Sequence, residues 1–355
     1  MIKFLVGLLL LTSVSLWFSP SALGWGSEGH MVVSQMAYNH LTPTVKARCD
    51  TLIAVTLPNA SASSSNFVTA AVWADDFKSQ LGTAIWHYID LPFSPDNTDI
   101  SGFTPASFDV VQAINLCVSN LASAATTDTD KATALRYILH FVGDIQQPLH
   151  CSTEISAAHP GGDGGGNGFS LNGTYGNLHS LWDSGGGYVG VTLSRPLSTS
   201  GANTISNKVF ECEALYPYSP TDGVQDPMDW AVEGLNLAET VCYVGITENS
   251  TPSSSYTNIA QATTKQRLAA GGHRLADLLN TIVATNSMPL VCSRPGNGTF
   301  NLLWSAVPGR NYRVQWKRQF TNATWLDLTN IIASSNRVVI SDAVGLTQRF
   351  YRVSQ

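Results

Sequence analysis

An apolar stretch near the middle of the chain, RYILHFVGDIQQPLH, contains three potential metal ligands within eleven residues. His140 and Asp144 are four residues apart, so a helix over residues 134–145 would direct both side chains from one face, one turn apart. Pro148 would end this helix, and His150 follows directly behind it. A buried helix with two hydrogen-bonded histidines would give the same pattern, so a metal site is predicted only if further ligands are found elsewhere.

The composition is that of a globular protein. Of its 355 residues 44% are hydrophobic and 12% are charged, which is enough for one large domain and a small one. The formal net charge is −6, but residues 292–355 contain eight Lys/Arg and two Asp, so the rest of the chain is strongly acidic. An acidic body does not by itself indicate a nucleic-acid binder, although bound divalent cations would change the local charge.

Residues 1–24 predict a secretory signal peptide. Lys3 precedes an apolar run over residues 4–18, and small residues at Ala22 and Gly24 favour cleavage between Gly24 and Trp25. The alternative is an uncleaved membrane anchor, which the shortness of the apolar run disfavours. No later stretch is apolar enough to span a membrane. We therefore expect a secreted or periplasmic protein.

Export would place the cysteines in an oxidising compartment. The even number of six allows three disulfides, in any of 15 pairings. No two cysteines form a CxxC pair, so a thiolate zinc site is not expected. The six are Cys49, Cys117, Cys151, Cys212, Cys242 and Cys292.

Two regions differ in their secondary-structure patterns. Residues 25–286 show mostly helical periodicity and little strand signal. From about Ser287 the chain changes to short segments rich in β-branched and aromatic residues, separated by turn residues. These segments predict a five-strand, β-sandwich-like accessory module over residues 293–355, joined to the body by MPLVCSRPGNG. The expected fold class is mostly α with a small all-β C-terminal module.

Further potential ligands occur along the helical body. His30, His87 and Asp75 precede the central stretch, and His179 and Asp183 follow it with the same four-residue spacing as His140 and Asp144. Imidazoles and carboxylates without thiolates suit zinc in a catalytic site. Eight such groups are too many for one four-coordinate ion, so two or three ions that share a bridging carboxylate fit better.

Six segments between Trp25 and Ile282 together resemble one enzyme family. WGSEGH, WADDFK, WHYID, LHFVGDIQQPLH, GGNGF and GNLHSLWD occur in the order found in the zinc-dependent single-strand-specific nucleases of the mung bean nuclease type. These enzymes share a superfamily with the bacterial zinc-dependent phospholipases C. The resemblance implies the helical phospholipase C/single-strand nuclease fold, and it does not extend to the β module.

The resemblance also implies a site with three Zn²⁺ ions. One ion would be held by Asp75, His87, His140 and Asp144. A second would be held by His150, His179 and Asp183. The third would take His30, Asp144 as a bridge, and the free amine and carbonyl of Trp25, an amine that exists only after cleavage.

The implied activity is hydrolysis of single-stranded DNA and RNA to 5′-phosphorylated products, together with 3′-nucleotidase activity on 3′-nucleotides. Asp75 would orient or deprotonate the attacking water, and Lys78 would lie near the phosphate unless it is a solvated surface lysine. Tyr88 and Asp90 match base-holding positions, although Tyr88 suits a core as well. Asn167 matches a substrate-contacting asparagine, in a glycine loop that could instead be a flexible turn.

Two other functions remain open. A phospholipase C would use the same metal frame, but the second-zinc carboxylate is Asp183 where a glutamate is expected, and WADDFK and WHYID fit nucleases better. A non-catalytic nucleic-acid or envelope-binding protein would depend on the basic β module, which could also be a spacer. The remaining histidines, His40, His159 and His273, match no ligand and are interpreted as surface or core residues.

Overall fold

The computed structural model describes residues 24–123, 125–219, 226–285, 291–293, 299–306, 309, 311–319, 324–335, 337–343 and 349–354. All of the predicted signal peptide except Gly24 lies outside these residues, and so does most of the predicted connection between body and β module. Within the described ranges, no helix is both long enough and apolar enough to cross a membrane.

Helices make up most of the body, as predicted. They are α1 (Ser27–His40), α2 (Pro43–Ile53), α3 (Phe67–Ala70), α4 (Trp73–Leu81), α5 (Val110–Ala122), α6 (Asp128–Asp144), α7 (Leu178–Asp183), α8 (Thr199–Leu215), α9 (Pro227–Leu237) and α10 (Ser254–Thr285). Short 3₁₀ turns cover Ala62–Ser64, Ala84–His87 and Pro148–Cys151, and a π-helical turn covers Ala238–Cys242. Two two-residue strands, β1 (Pro92–Phe93) and β2 (Thr153–Glu154), pair in parallel.

The central helix α6 confirms the helix predicted over residues 134–145 and begins earlier. Thr127 caps its N-terminus by accepting a hydrogen bond from the Asp130 amide, and acidic residues in the first turn suit the helix dipole. Every residue from Ala134 to Asp144 is buried. Such a helix is surrounded by protein on all sides, so its polar residues must find partners inside the fold.

Glycines allow α1 to approach its neighbours closely. A Cβ added to Gly143 of α6 would lie 2.8 Å from His30 Nδ1 of α1. A Cβ added to Gly272 of α10 would lie 2.6 Å from the Met36 sulfur of α1. Any larger residue at either position would push the helices apart, so these glycines fix how deeply α1, and with it His30, sits in the core.

The patterns described above do not include α8. Its buried positions Gly201, Ile205, Val209 and Cys212 follow helical spacing, but the helix also contains many Ser, Thr and Asn residues, which are neutral or unfavourable in helix interiors. Packing of this narrow apolar face against α1 and α10 outweighs the local preference.

The expectation of disulfides is wrong for the cysteines that the structure describes. Cys49, Cys117, Cys151, Cys212 and Cys242 are all buried free thiols. Burial raises the thiol pKa of Cys49 and Cys117 to about 12 and that of Cys212 to about 11. These thiols are therefore protonated and behave as small apolar core residues. Cys292 has no described side-chain environment.

The C-terminal strands form two antiparallel sheets. The strands are β3 (Val291–Ser293), β4 (Thr299–Ser305), β5 (Asn311–Lys317), β6 (Leu326–Ile332), β7 (Arg337–Ala343) and β8 (Phe350–Ser354). One sheet has the order β3-β4-β7 and the other β6-β5-β8. Strands β4 to β8 match the five predicted segments, and β3 lies inside the predicted connection, which is a correction. One apolar cluster includes Trp304 and Val338 of the first sheet and Tyr312 and Val314 of the second.

Candidate metal centre

Five of the predicted ligands form what we call the central group: His30, Asp75, His87, His140 and Asp144. They come from α1, α4, the Ala84–His87 turn and α6. The carboxylate of Asp144 lies in the middle. Its Oδ2 is 3.0 Å from His87 Nδ1 and 3.1 Å from His140 Nε2, and its Oδ1 is 3.4 Å from His30 Nε2. Asp75 Oδ1 lies 3.6 Å from both His87 Nδ1 and His140 Nε2.

The other three predicted side-chain ligands, His150, His179 and Asp183, form the second group. Asp183 Oδ1 is 3.7 Å from His150 Nε2 and 3.5 Å from His179 Nε2. The two groups adjoin each other, because His150 Nδ1 lies 3.7 Å from Asp144 Oδ1. The fold therefore brings all eight predicted side chains into one buried site.

Backbone carbonyls orient three of the imidazoles. His140 Nδ1 is 2.6 Å from the Ala71 oxygen, His150 Nδ1 is 2.8 Å from the His87 oxygen, and His179 Nδ1 is 2.7 Å from the Gly165 oxygen. A carbonyl can only accept, so each Nδ1 holds a hydrogen and each Nε2 is directed at neighbouring ligands. This arrangement is typical of metal-binding histidines.

Charge and burial in the central group favour an ionised Asp144 and neutral His30 and His87. Burial opposes ionisation of Asp144, but the charge of His140 and hydrogen bonds with neighbouring imidazoles outweigh it and hold the pKa of Asp144 well below its ordinary value. Burial lowers the pKa of His30 and of His87. An ionised carboxylate beside neutral imidazoles is the form in which these side chains ligate metals, so His140, whose pKa the charges of Asp144 and Asp75 raise despite its burial, would lose a proton on binding an ion.

Several polar atoms of the central group need a further partner. His30 Nδ1 and Nε2, His87 Nε2 and Asp144 Oδ1 are buried without a hydrogen-bond partner among the residues that the structure describes. Each such atom costs about 1–3 kcal/mol of desolvation. A divalent cation would satisfy the acceptors among them, and the donor set of imidazole and carboxylate fits zinc. The residues present therefore fit the metal that the sequence predicts.

The backbone before α1 also reaches the central group. A Cβ added to Gly24 would lie 1.7 Å from Asp144 Oδ1 and 2.9 Å from His30 Nε2, so Gly24 itself lies against both side chains. Trp25 is fully buried, and the Gly26 amide donates to the Asp183 carbonyl oxygen over 3.0 Å. The predicted mature N-terminus is thus adjacent to the predicted ligands.

Comparison with known proteins identifies the family. A model of the S1/P1 nuclease family matches residues 25–284. The chain belongs to the S1/P1 nuclease family. The matched region contains every candidate ligand and ends before the first strand of the β module. The protein is accordingly a zinc-dependent nuclease that hydrolyses nucleic acid.

Relatives of this S1/P1 nuclease come from plants and fungi. Endonuclease 2 of Arabidopsis thaliana is 28% identical over 310 residues, which cover 78% of this chain and 97% of that protein. Nuclease S1 of Aspergillus oryzae is 27% identical, over a match that spans 79% of this chain and 99% of that protein. Nuclease P1 of Penicillium citrinum is 26% identical, over a match that spans 73% of this chain and 97% of that protein.

Asp75 and Lys78 of this S1/P1 nuclease lie one helical turn apart on α4. Lys78 Nζ is 3.1 Å from Asp75 Oδ1, and Lys78 is only 4% exposed. The alternative of a solvated surface lysine is therefore wrong, because the ammonium is held beside the central group. Asp76 instead forms a bidentate ion pair with Arg195, with N–O distances of 2.7 and 2.8 Å.

The three predicted substrate-binding residues border the second group. Tyr88 and Asp90 are half-buried, and between them the Ile89 amide donates to the His150 oxygen over 2.8 Å. Asn167 is two residues from Gly165, the residue that orients His179. Gly165 has a φ of +62°, and an added Cβ would lie 2.1 Å from the Leu149 oxygen. This part of the glycine loop is thus packed against the site, and the alternative of a flexible surface turn is wrong.

Sequence reasoning missed two buried glutamines beside the site, of which Gln147 contacts a candidate ligand. Gln147 Nε2 donates to Asp183 Oδ1 over 2.8 Å, and Gln147 Oε1 accepts from the Leu149 amide over 2.7 Å. Gln146 Oε1 accepts from Arg267 and Arg274 of α10, both of which pair with Glu233 of α9. The signal was present in the QQP that follows Asp144, since two amides in an apolar stretch need buried partners.

Proposed function

We propose that this nuclease hydrolyses single-stranded DNA and RNA at a three-zinc centre, leaves a 5′-phosphate on its products, and removes the phosphate from 3′-nucleotides. One observation supports this most: Asp144 lies where the central group adjoins the second group. Its Oδ1 faces His30 and His150, and its Oδ2 faces His87 and His140. A carboxylate in that position can bridge metal ions.

We assign eight side chains and one terminus to the ions. The first zinc would be held by Asp75, His87, His140 and Asp144. The second would be held by His150, His179 and Asp183. The third would be held by His30, Asp144 and the amine and carbonyl of Trp25. Bound zinc lowers the pKa of water to about 7 and polarises phosphoryl oxygens.

Two side chains of the protein would supply a general base and a contact to the substrate phosphate. Asp75 is the candidate to orient the attacking water and accept its proton, because it lies beside the central group and is partly accessible. Burial opposes ionisation of Asp75, yet the charges of His140 and Lys78 lower its pKa, so it is available as a base. Lys78 would pair with the substrate phosphate. Cleavage of the P–O3′ bond would release the 3′ oxygen as a hydroxyl and leave the phosphate on the 5′ oxygen of the downstream fragment.

Preference for single strands would come from the border of the second group. Tyr88 would stack on an unpaired base, an interaction worth about 1–3 kcal/mol. Asp90 would accept from an exocyclic amine, and Asn167 would contact the same nucleotide. Bases in a duplex are stacked on each other and paired, so they could not enter such a site without unpairing.

The mature N-terminus would complete the centre. The amine of Trp25 becomes available only after signal peptide cleavage, and in the uncleaved chain Gly24 lies against Asp144 and His30. We therefore infer that the protein is exported, to the periplasm or the medium, and that the uncleaved precursor has an incomplete site. The β module would bind an anionic polymer, because Lys317 and Arg352 both lie 4.6 Å from the Trp325 ring centre.

The decisive experiment uses protein that begins at Trp25. We expect release of acid-soluble nucleotides from single-stranded DNA and RNA, much slower release from duplex DNA, 5′-phosphate ends, and phosphate release from 3′-AMP. A chelator should abolish all of these. Equal rates on duplex and single strands, or 3′-phosphate ends, would refute the proposal. Hydrolysis of phosphatidylcholine without attack on nucleic acid would favour the phospholipase C alternative.

A further inference from the structure

A third set of potential ligands lies apart from the nuclease centre. His40, Glu213 and His273 place one ligand atom each within 4.8 Å of one another, and we call them the peripheral cluster. Both imidazoles direct Nε2 at one carboxylate oxygen: Glu213 Oε1 is 2.5 Å from His40 and 3.8 Å from His273. These spacings overlap those of the second group, where Asp183 Oδ1 lies 3.5 and 3.7 Å from its two imidazoles.

The peripheral cluster joins three helices. His40 is the last residue of α1, Glu213 lies in the last turn of α8, and His273 lies in the middle of α10. Each of these three helices packs against the other two. A ligand shared by the three side chains would therefore connect segments that are distant in sequence.

The surroundings hold the imidazoles in place. The ring of Tyr218 stacks on His40 with centroids 4.0 Å apart and meets the edge of His273 at 5.2 Å. Asn280 Nδ2 donates to the His40 carbonyl oxygen over 3.0 Å, and Asn280 Oδ1 accepts from the Thr42 amide over 2.9 Å. The end of α1 is thus fixed on α10, and His40 cannot turn away without breaking these contacts.

The chemistry of the set matches a zinc site. Two imidazole nitrogens and one carboxylate oxygen are the three protein ligands of many zinc centres, with a fourth position for water. The His273 side chain is 4% exposed, whereas those of His40 and Glu213 are 23% and 25% exposed. An ion would be reached from solvent through these two, and water could take the fourth position.

We propose that His40, Glu213 and His273 bind one zinc ion that ties α1, α8 and α10 together, in addition to the ions of the nuclease centre. No candidate catalytic or substrate-binding residue belongs to this cluster. Its role would be structural, so its loss should reduce stability and leave the chemistry intact.

The test compares two glutamates of the same helix. Glu211→Gln is the control, because Glu211 faces Lys265 and Tyr188 and has no part in the cluster. Wild type, E213Q, H40Q and E211Q are loaded with Zn²⁺, freed of excess metal, and measured by native mass spectrometry. We expect E213Q and H40Q to contain one zinc ion fewer than wild type and E211Q. Equal zinc content in all four proteins would overturn the proposal and leave an ion pair only.

A second measurement separates zinc binding from simple packing. Addition of Zn²⁺ in excess should raise the Tm of zinc-depleted E211Q by about 2–4 °C more than that of E213Q. Single-stranded DNA hydrolysis should be unchanged in E213Q. The difference in zinc content does not depend on how many ions the nuclease centre holds, so failure here would leave the proposed function standing. An equal rise in Tm for both variants would contradict a peripheral zinc ion.

Discussion

The nuclease centre and the peripheral cluster use the same side chains in different surroundings. In both, imidazoles and carboxylates face one another at about hydrogen-bond distance or slightly more, 3.0–3.7 Å in the centre and 2.5–3.8 Å in the cluster. The centre is enclosed by α1, α6 and α7, and backbone carbonyls orient three of its imidazoles. The cluster lies at helix ends and is held by an aromatic ring.

This difference predicts that the same ligand types would give a bound metal different roles in the two places. A buried site with several adjoining groups can place charges around a reacting phosphate, whereas one ion at the meeting point of three helices can only hold them together. Substitutions in the two places should therefore differ in kind.

Asp144→Asn should cause the largest loss. The asparagine side chain would be neutral at the place where the central group adjoins the second group, and its NH₂ would face imidazole nitrogens. We expect hydrolysis of single-stranded DNA to fall by more than about 100-fold, the upper range for residues that only support a metal site, with fewer bound zinc ions by mass spectrometry. E213Q serves as the contrast, with one zinc fewer and full activity. Retained activity in D144N would refute the bridging role of Asp144.

An uncleaved N-terminus should be nearly as damaging. A protein that begins at Gly24 lacks the Trp25 amine, and its first residue lies against Asp144 and His30. We expect a loss of at least about tenfold in kcat/KM and lower zinc content than in protein that begins at Trp25, in line with changes in ligand support. A protein that begins at Gly26 provides the matched truncation. Equal zinc loading and activity in the Gly24 and Trp25 proteins would exclude the terminus as a ligand.

Gln147→Leu should have an intermediate effect. Loss of the hydrogen bond to Asp183 Oδ1 leaves that carboxylate free to turn, which for residues behind a metal ligand costs about 10–100-fold in affinity or activity. Zinc titration should show weaker binding at one site only. Gln35→Leu, which breaks an exposed Gln–Asn pair on α1, is the control and should change neither quantity. Unaltered zinc affinity in Q147L would show that Asp183 is held by other contacts.

The smallest effect concerns Asp90. Burial and the charge of Asp163 raise the pKa of Asp90 to about 6, with His150 opposing. A raised pKa favours the folded state at low pH, and this contribution is lost as pH rises through about 6. In zinc-free protein, D90N should therefore raise the Tm more at pH 7 than at pH 5, and have little effect below about pH 3.8, the ordinary pKa of an aspartate. Asp99→Asn is the control, because a hydrogen bond from Ser101 lowers the pKa of Asp99. A gain of equal size at both pH values would contradict the raised pKa of Asp90.

Much of the fold and of the site was predictable from local pattern. The helix through His140 and Asp144 follows from apolar spacing and a threonine cap, and the eight side chains that meet in the site were singled out as candidate ligands from residue type and spacing. The β-strands followed from alternation and turn residues. One prediction failed for a reason of packing, because the described cysteines are isolated in the core rather than paired. For Lys78 only the alternative of a solvated lysine is wrong, since its side chain is buried beside Asp75.

The helices, the strands and the types of candidate ligand follow from the order of the residues, because these features depend on neighbours within a few positions. Which of the candidate ligands meet depends on the packing of the whole body. His40 and His273 matched no motif, and Glu213 lies on a helix that its own residues favour only weakly, yet the packing of α1, α8 and α10 brings the three together. The positions of Gln147 and Gly24 were decided in the same way. Contacts between residues from 36 to more than a hundred positions apart leave no local pattern, since each side chain needs only to suit its own segment.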